Sequence, residues 1–328
     1  MRKKIKYIIY GSNADYLKFC LSDILNNDNV VFIGGTYTNT IQKYVLILTF
    51  FLHKIFKSSN SLNRLFFPLF FKRKWVTIGE IPVFWFFEQN NLSYNKLFLL
   101  YLKKLFPESK MVFYFTNVVG KGNKLAIDII NKNISLYNIV ITFYEKDAQA
   151  FNLIYYPWIY SPISIINKSE NVYDLLFVGL DKGRINILKE IAILLKNNNL
   201  VYDFNVIETD NIDNKKYGIK TIQERMSYKE NIDKVLKSKC VLELMPYDVQ
   251  GCSLRTAEII ATGTKLLTNN LSLKSNSIYN ESQMSVFSSP DNIDVEFLKR
   301  DIDTNLFNNR DMLSPKLFLN FLETVLFS

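Results

Sequence analysis

An arginine and a glutamate, Arg255 and Glu258, follow a polar loop in the stretch QGCSLRTAEIIATG at residues 250–263. On a helix, residues three apart share one face, and Glu258 would border the apolar stripe of that helix. A carboxylate held there could accept hydrogen bonds from both hydroxyls of a ribose, as acidic residues do in nucleotide sites. The alternative is an ordinary ion pair with Arg255, worth about 0.2–0.5 kcal/mol.

A lysine and an arginine lie beside two glycines in the stretch DLLFVGLDKGR at residues 174–184. We expect a buried strand to end at Val178, Gly179 to permit a tight turn, and Lys182 and Arg184 to enter the next helix. Free backbone amides at the start of a helix bind anions, and nearby cationic side chains strengthen the binding of the anion. The segment therefore suits a diphosphate, although a solvated turn that carries two cations would have the same sequence.

Three carboxylates in the first half of the chain are candidates for a general base that activates an acceptor hydroxyl. They are Asp15, Glu80 and Glu88, and each could equally be a capping or surface acid. Asn117 ends the apolar run KMVFYFTN, with Lys121 nearby, and either faces a binding cleft or forms a plain turn.

Length and composition exclude several classes of protein. The 328 residues are enough for two domains, and 48% of them are apolar. The three cysteines, Cys20, Cys240 and Cys252, contain no CxxC pair, which argues against a disulfide framework or a structural zinc site and favours a reducing cytoplasm. The single histidine, His53, lies in an apolar run, so a Ser-His-Asp triad or a histidine-rich metal site is not expected.

The familiar phosphate and metal motifs are poorly matched. The stretch VVGKGNKLA fits neither GxxxxGK[ST] nor GxGxxG, so a P-loop or dinucleotide site is not expected. The one Asp-x-Asp pair, Asp301 and Asp303, lies in the tail and not at the end of a strand in the middle of a sheet. We therefore predict that the protein requires no metal.

The net charge of +9 is concentrated between residues 40 and 75, where seven basic residues occur without an acidic one. These residues are Lys43, Lys54, Lys57, Arg64, Lys72, Arg73 and Lys74. Phenylalanine and leucine surround them, a composition typical of a surface that binds anionic lipid. The alternative is an aromatic core with a rim of solubilising cations. The apolar run YVLILTFFLHKIF is interrupted by a histidine and a lysine, so no transmembrane helix is expected.

The predicted elements must position these residues. Apolar runs alternate with amphipathic stretches, which predicts parallel sheets covered by helices on both faces. KWVTIG and VFWFFEQ are predicted as separate strands, and residues 123–133 as a helix. In the second half, Ser253 is expected to cap a helix over residues 254–262 that Gly263 ends, between the strands CVLELM and KLLTN.

Three segments of the second half together resemble a known enzyme family. YDLLFVGLDKGR, SYKENIDKVLKSKCVLEL and QGCSLRTAEIIATGTKLLTNN are similar to the nucleotide-sugar half of bacterial GT-B glycosyltransferases from lipopolysaccharide and capsule gene clusters. Residues 140–160 resemble the segment that leads into the linker of such enzymes. The resemblance covers about half of the chain. One departure is Gln250, which stands where a retaining-type Glu-x7-Glu pair would have its first glutamate and leaves the stereochemistry open.

The resemblance implies which residues hold the donor nucleotide sugar. They are Gly179, Lys182, Arg184, Ser227, Tyr228, Gln250, Gly251, Ser253, Leu254, Arg255 and Glu258. The first three would face the diphosphate, and the loop and helix start at residues 250–255 would meet the same phosphates or the sugar. Glu258 would hold the ribose, and Ser227 and Tyr228 would lie near the base.

The expected protein therefore has an α/β fold of two doubly wound, Rossmann-like domains that face each other across a cleft. Residues 1–160 would bind the acceptor, 161–172 would form the linker, and 173–310 would bind the nucleotide sugar. Residues 311–328 would form a carboxyl-terminal helix that crosses back to the first domain.

The resemblance implies that the protein transfers a sugar from a nucleotide sugar to a lipid-linked or polysaccharide acceptor in bacterial surface glycan synthesis. A UDP-sugar is the favoured donor. No cofactor is expected. The enzyme would act in the cytoplasm, peripherally on the inner face of the cell membrane if the basic region binds anionic lipid. A non-catalytic protein that binds nucleotide sugars or glycans on the same fold is the alternative. Nucleic acid is not an expected partner, because the basic region is apolar and no nucleic-acid module is recognised.

Overall fold

The computed structural model describes most of the chain, in two compact units. The described residues are 4–12, 14–34, 44, 67–119, 126–127, 129–163, 172–207, 212–224, 226–245, 251–301 and 310–328. Met1–Tyr156 and Leu319–Ser328 form the first unit, and Pro157–Phe318 form the second. Each unit contains one sheet of six parallel strands with helices around it. The protein therefore consists of two Rossmann-like α/β domains, as the alternation of its sequence predicts.

The sheet of the first unit is wound in both directions from its first strand. Its strands are β1 (Lys4–Tyr10), β2 (Val30–Ile33), β3 (Glu80–Phe87), β4 (Lys110–Phe115), β5 (Ile139–Thr142) and β6 (Ile154–Tyr155). Its helices include α1 (Asp15–Cys20), α2 (Lys96–Leu105) and α3 (Glu145–Phe151). The strand order is β2-β1-β3-β4-β5-β6. The carboxyl ends of β1 and β3 consequently flank a topological switch point, where open α/β sheets bind ligands.

The central strands of this sheet are apolar after a charged first residue. β3 reads EIPVFWFF and β4 reads KMVFYF, and residues 83–87 and 111–115 are buried. Tyr10 stacks on Phe86 with ring centroids 4.7 Å apart, within a cluster of aromatic side chains. Continuous apolar runs of this kind are typical of parallel strands whose two faces are both covered.

One predicted strand of the first unit is wrong. A short 3-10 helix, Arg73–Trp75, overlaps the start of KWVTIG, and the last residue of KWVTIG, Gly79, has a φ of 90°. Glycine adopts that φ readily and other residues do not, so the extended backbone begins only after it, at Glu80. The helix predicted over residues 123–133 is described only at 126–127 and 129–133, where it contains a π-helical segment, Ile129–Asn133.

The second unit has a sheet with its own switch point. Its strands are β7 (Tyr173–Leu180), β8 (Tyr202–Ile207), β9 (Ile219–Ile222), β10 (Ser238–Glu243), β11 (Lys265–Thr268) and β12 (Met284–Val286). The helices that follow are α4 (Ile185–Asn197), α5 (Tyr228–Leu236), α6 (Leu254–Thr262), α7 (Val295–Lys299) and α8 (Pro315–Phe327). The strand order β12-β11-β10-β7-β8-β9 places the carboxyl ends of β7 and β10 side by side. Candidate donor residues follow both of these strands.

Helix α6 has the bounds predicted from its capping residues. The Ser253 hydroxyl accepts a hydrogen bond from the N–H of Thr256 at 3.1 Å, and Gly263 ends the helix with a φ of 62°. The carboxyl-terminal helix α8 ends in the first unit, to which Leu319–Ser328 belong. There the hydroxyl of Tyr7 donates to the Glu323 carboxylate at 3.1 Å, which ties α8 to β1.

A lysine at the start of β11 is buried in the second unit. Lys265 is 2% exposed, and its ammonium donates hydrogen bonds to the carbonyl oxygens of Phe297 at 2.6 Å, Leu298 at 3.2 Å and Arg300. These carbonyls lie at the carboxyl end of α7, where a helix leaves its last carbonyls unpaired and its dipole attracts cations. Burial lowers the pKa of the Lys265 ammonium. The lysine thus fixes the end of α7 to the sheet.

The three cysteines carry free thiols, and all three are buried. Burial raises the pKa of Cys240 to about 12 and raises that of Cys252 as well. Because the thiolate is the nucleophilic form of cysteine, these two side chains are inert packing residues at neutral pH.

Candidate functional site

Gly179 does not form the turn that the sequence predicts for it. Strand β7 continues to Leu180, so it does not end at Val178, and Gly179 lies inside the strand. A Cβ at position 179 would lie 3.1 Å from the Phe177 ring. The glycine therefore leaves room for that ring and does not supply a special backbone angle.

The turn after β7 is made by the next residues, and the amides of the helix start are not free. Lys182 has a φ of 44° and Gly183 a φ of 79°. The Asp181 carboxylate accepts hydrogen bonds from the N–H groups of Arg184 at 3.0 Å and Ile185 at 3.1 Å. This contradicts the expectation of free amides at the start of α4. An anion at this turn would instead meet the side chains of Lys182 and Arg184.

Those two cations line a pocket of about 410 Å³ at the carboxyl edge of the second sheet. Lys182 is exposed, whereas Arg184 is partly buried and donates from Nη1 to the carbonyl oxygen of Leu180 at 3.4 Å. Burial lowers the pKa of the Arg184 guanidinium, and the carboxylates of Glu243 and Asp181 oppose that change. The guanidinium keeps its charge at neutral pH, because the ordinary pKa of arginine lies far above 7.

A buried carboxylate at the end of β10 fixes the start of α6. Glu243 is 4% exposed and accepts hydrogen bonds from three hydroxyls: that of Ser253, that of Thr256 at 3.2 Å and that of Thr268 at 2.7 Å. The Ser253 hydroxyl therefore makes two hydrogen bonds: it donates to Glu243 and it accepts from the N–H of Thr256 as the helix cap. Its position beside the switch point agrees with the prediction, but its hydroxyl serves the fold.

The loop before α6 is held by side chains that follow β11. Gly251 donates its N–H to the hydroxyl of Ser272 at 3.1 Å, and its carbonyl accepts a hydrogen bond from Asn270 at 2.9 Å. The amide of Gly251 is thus already used within the protein. Leu254 and Arg255 lie in the first turn of α6, where helix amides lack intrahelical partners and can bind an anion.

Glu258 is buried and accepts three hydrogen bonds. It is 2% exposed, its Oε1 accepts from Arg255 Nη1 at 2.5 Å and from Asn231 Nδ2 at 3.0 Å, and its Oε2 accepts from the Tyr228 hydroxyl at 3.3 Å. Burial raises the pKa of Glu258, and the Arg255 guanidinium and the other two donors oppose the rise. The ion pair with Arg255, one of the two alternatives from the sequence, is present. The other alternative, a carboxylate that binds ribose hydroxyls, stays a prediction.

Of the two predicted site residues at the start of α5, Ser227 and Tyr228, only Tyr228 contacts Glu258. The hydroxyl of Ser227 accepts from the N–H of Glu230 at 3.2 Å, and the Glu230 carboxylate accepts from the N–H of Ser227 at 2.9 Å, which is a capping box. The Tyr228 hydroxyl lies 3.0 Å from that of Tyr160 and donates to Glu258. The switch point of the second sheet therefore gathers Tyr228 and Glu258, but not the side chain of Ser227.

A second polar cluster follows β3 and β4 in the first unit. Glu88 is 6% exposed, and its Oε2 accepts four hydrogen bonds of 2.8–3.1 Å from the backbone and side-chain donors of Thr116 and Asn117. Gln89 donates from Nε2 to the hydroxyls of Tyr16 at 2.7 Å and Thr116 at 2.5 Å, and its Oε1 has no partner among the described residues. The cluster lies at the switch point of the first sheet.

The three candidate bases do not all lie in one place. Glu88 follows the carboxyl end of β3, and Asp15 is exposed at the first residue of α1, after β1. Glu80 begins β3, an eight-residue strand, so it lies roughly 25 Å from Glu88. Burial opposes the ionisation of Glu80, but hydrogen bonds from Thr77 and the nearby charges of Lys6 and Lys4 together hold the pKa of Glu80 below its usual value. Glu80 cannot share a site with Glu88.

Several residues of the polar cluster in the first unit were not predicted from the sequence, although the sequence contains a signal for them. The run EQN follows the apolar FWFF directly, and TN follows VFYF, so polar side chains stand at the ends of two buried strands. Asn90 donates to the carbonyl oxygen of Gly11 at 2.7 Å, and so joins the ends of β3 and β1. Two other predicted site residues, Lys121 and Gln250, lie outside the described residues.

Among the described residues, no group of three or more histidine, cysteine, aspartate or glutamate side chains is placed to hold a metal ion.

Neither a model of a known protein family nor a curated protein matches this chain. Solved structures match it along nearly its whole length. UDP-N-acetylglucosamine 2-epimerase from Neisseria meningitidis, bound to UDP-GlcNAc, has a TM-score of 0.52 at 10% identity, over 98% of this chain and 100% of that one. α,α-Trehalose-6-phosphate synthase from Burkholderia multivorans has a TM-score of 0.50 at 10% identity, over 99% and 95%. An α-glucosyltransferase in complex with UDP-glucose and abasic DNA has a TM-score of 0.50 at 11% identity, over 98% and 99%.

These similarities concern the fold. They support a GT-B fold of two Rossmann-like domains, and the fold is therefore glycosyltransferase-like. A transferase and an epimerase whose structures hold a UDP-sugar both share it. The narrower resemblance to enzymes of lipopolysaccharide and capsule synthesis is not confirmed by these matches.

Proposed function

We propose that the protein is a glycosyltransferase that moves a sugar from a nucleotide sugar to a hydroxyl of an acceptor glycan. The observation that carries this proposal is the group of cations at the switch point of the second sheet. Lys182 and Arg184 follow β7, and Arg255 lies in the first turn of α6 after β10. Fixed cations at such a place stabilise the negative charge that grows on a departing diphosphate. A UDP-sugar is the favoured donor, since UDP-sugars occupy two of the matched structures.

The same proposal includes the acceptor and its setting. Lysine and arginine would stabilise the charge on the leaving diphosphate, as a metal ion does in other transferases, so transfer would proceed without a metal. The first unit would bind a lipid-linked or polysaccharide acceptor of the bacterial surface, on the cytoplasmic side of the membrane. A non-catalytic protein on this fold would bind nucleotide sugars without cleaving them. Slow hydrolysis of the donor in the absence of acceptor therefore distinguishes the enzyme from the binding protein.

Replacing Arg184 by alanine is expected to weaken the binding of a nucleoside diphosphate by about 1.5–3 kcal/mol, the range for hydrogen bonds to a charged group. Nucleoside binding should barely change, because a nucleoside has no phosphate for Arg184 to contact. Titration calorimetry with UDP, GDP and dTDP, and with the corresponding nucleosides, measures both affinities. A thermal-shift screen selects the base first, since a ligand at a hundred times its dissociation constant adds about 2.7 kcal/mol to stability.

The matched control is Arg300→Ala, because Arg300 is an arginine of the same unit whose side chain is 64% exposed. Its removal lowers the net charge equally and should leave nucleotide affinity unchanged. Equal losses for nucleoside and nucleoside diphosphate in Arg184→Ala would mean that the turn after β7 has only a structural role. A wild-type protein that binds none of the nucleotides would contradict the proposed function as a whole.

The basic region at residues 40–75 is described only in part. Lys72, Arg73 and Lys74 are exposed, whereas Phe67 and Phe71 are buried in the core of the first unit. In this described part, residues 67–75, the buried aromatic side chains belong to the core and the cations are exposed, so this part would attract a membrane through its charge. The cations at positions 43, 54, 57 and 64 lie outside the described residues. No helix in the described part of the chain is both long and apolar enough to cross a bilayer.

The protein is expected to sediment with anionic liposomes at low salt and to leave them as salt rises, because screening weakens attraction between exposed charges. Changing Lys72, Arg73 and Lys74 together to glutamine should reduce the bound fraction. As a control, Lys146, Lys274 and Lys316 are exposed at scattered positions, and changing them to glutamine removes the same charge. If the wild type does not bind anionic vesicles, or if both triple variants lose binding equally, the cations at residues 72–74 form only a solubilising rim.

A further inference from the structure

Arg255 is tied to the end of β7 by its own hydrogen bonds. Its Nη2 donates to the carbonyl oxygen of Val178 at 3.3 Å and to Oδ1 of Asn231 at 3.4 Å, and its Nη1 donates to Glu258 at 2.5 Å. These contacts use three of the five N–H donors of a guanidinium. The side chain of Arg255 is 20% exposed, compared with 2% for Glu258. A ligand at the switch point can therefore reach the arginine more readily than the glutamate.

A second arginine approaches the same strand end. Arg184 donates to the carbonyl oxygen of Leu180, two residues beyond Val178 on β7. Carbonyls two residues apart on a strand point the same way and lie roughly 7 Å apart. The two guanidinium groups thus arrive at one edge of β7, one from the start of α4 and one from the start of α6. Planar guanidinium groups bind phosphate oxygens through paired hydrogen bonds, so two of them at one edge suit a diphosphate.

The hydrogen-bond partners of Glu258 are all side chains of the second unit. Its two oxygens accept from Arg255, Asn231 and Tyr228, and the hydroxyl of Tyr160 stands behind that of Tyr228. A ribose hydroxyl would have to reach a carboxylate that is 2% exposed and already uses three of its roughly four acceptor sites, and displacing one of these donors would leave that donor unpaired in a buried place. The contact that links Glu258 to the open switch point is its ion pair with Arg255.

We infer that Arg255 binds the donor diphosphate together with Arg184, and that Glu258 positions Arg255 and does not contact the ribose. The inference rests on the proposed function, because it requires a nucleoside diphosphate at the switch point of the second sheet. It replaces the ribose-binding role that the resemblance implies for Glu258. Arg255 is the binding residue and Glu258 acts through it.

The test is a double-mutant cycle with Arg255→Ala, Glu258→Gln and the pair together. Its probes are the best binder among UDP, GDP and dTDP, the corresponding nucleoside, and the 2′,3′-dideoxy form of the nucleoside diphosphate. Arg255→Ala should weaken diphosphate binding about 10- to 150-fold and nucleoside binding less than about twofold. Glu258→Gln keeps the shape of the side chain but not its charge, and should weaken diphosphate binding about tenfold. In the Arg255→Ala background it should add nothing further, because both changes remove one interaction.

The dideoxy probe separates the two roles of Glu258. If Glu258 positions Arg255, the ratio of the affinities of the normal and dideoxy diphosphates stays the same in the wild type and in Glu258→Gln. A ratio that falls to one in Glu258→Gln places the carboxylate on the ribose and overturns the inference, while the proposed function stands. Parallel losses of nucleoside and diphosphate affinity, or additive losses in the double variant, also overturn it. A wild type that binds no nucleoside diphosphate overturns both the inference and the proposed function.

Discussion

Substituting methionine for Lys265 is expected to lower the free energy of unfolding by about 2–4 kcal/mol. The Lys265 ammonium donates hydrogen bonds to the carbonyl oxygens of Phe297, Leu298 and Arg300, and the residue is 2% exposed. Each buried polar group left without a partner costs about 1–3 kcal/mol, and relief from burying a charge offsets part of that sum. Methionine keeps an unbranched apolar stem, so the loss measures the hydrogen bonds and not a cavity. Urea unfolding with linear extrapolation gives the difference.

Lys299→Met provides the matched control, because Lys299 is on the same helix, α7, and its side chain is 44% exposed in a surface ion pair with Glu296. Surface substitutions of this kind change stability by about 0.5 kcal/mol or less. If Lys265→Met costs no more than Lys299→Met, the carbonyls at the end of α7 find water or other donors, and the buried lysine does not hold the helix to the sheet.

The parts of the fold that the sequence predicts well are those specified by neighbouring residues. Ser253 and Gly263 set both ends of α6, since a side-chain cap and a left-handed glycine act within one turn of the helix. The sheet of each unit was predictable for a related reason. After a charged first residue, strands such as β3 and β4 are uninterrupted apolar runs separated by helical stretches, which is the pattern of a parallel α/β sheet. Where one residue overrides the local pattern, as Gly79 does before β3, the boundary was wrong.

The site was harder to predict because its contacts join distant residues. Glu258 meets Asn231 and Tyr228, which lie 27 and 30 positions earlier in the chain. Spacing alone left two roles open for that carboxylate, and only the packing of α5 against α6 shows which partners it has. The same holds in the first unit, where Gln89 meets Tyr16 across 73 positions. Asp181, in contrast, caps α4 through adjacent residues and could have been recognised as a helix cap.

Converting Glu88 to glutamine is expected to lower the rate of sugar transfer by about 10²–10⁴-fold, the usual contribution of a general base. Of the three candidate carboxylates, Glu88 is the one that lies both at a switch point and in a fixed orientation. Four hydrogen bonds from Thr116 and Asn117 converge on its Oε2. A glutamine can offer a carbonyl oxygen to the same four donors, so the cluster should keep its structure while the basic carboxylate is lost. Single-turnover transfer, with donor affinity measured separately, gives the effect on chemistry.

The control for this prediction lies on the same strand. Glu80→Gln makes the same chemical change at the amino end of β3, where the carboxylate accepts from the N–H of Thr77 at 2.8 Å, and it should leave the transfer rate within about twofold. Donor affinity should be unchanged in both variants, because the proposed donor-binding residues belong to the second unit. Full activity in Glu88→Gln would show that the Glu88 cluster is structural. If Asp15→Asn lost activity instead, the base would be the exposed carboxylate that follows β1, on the other side of the same switch point.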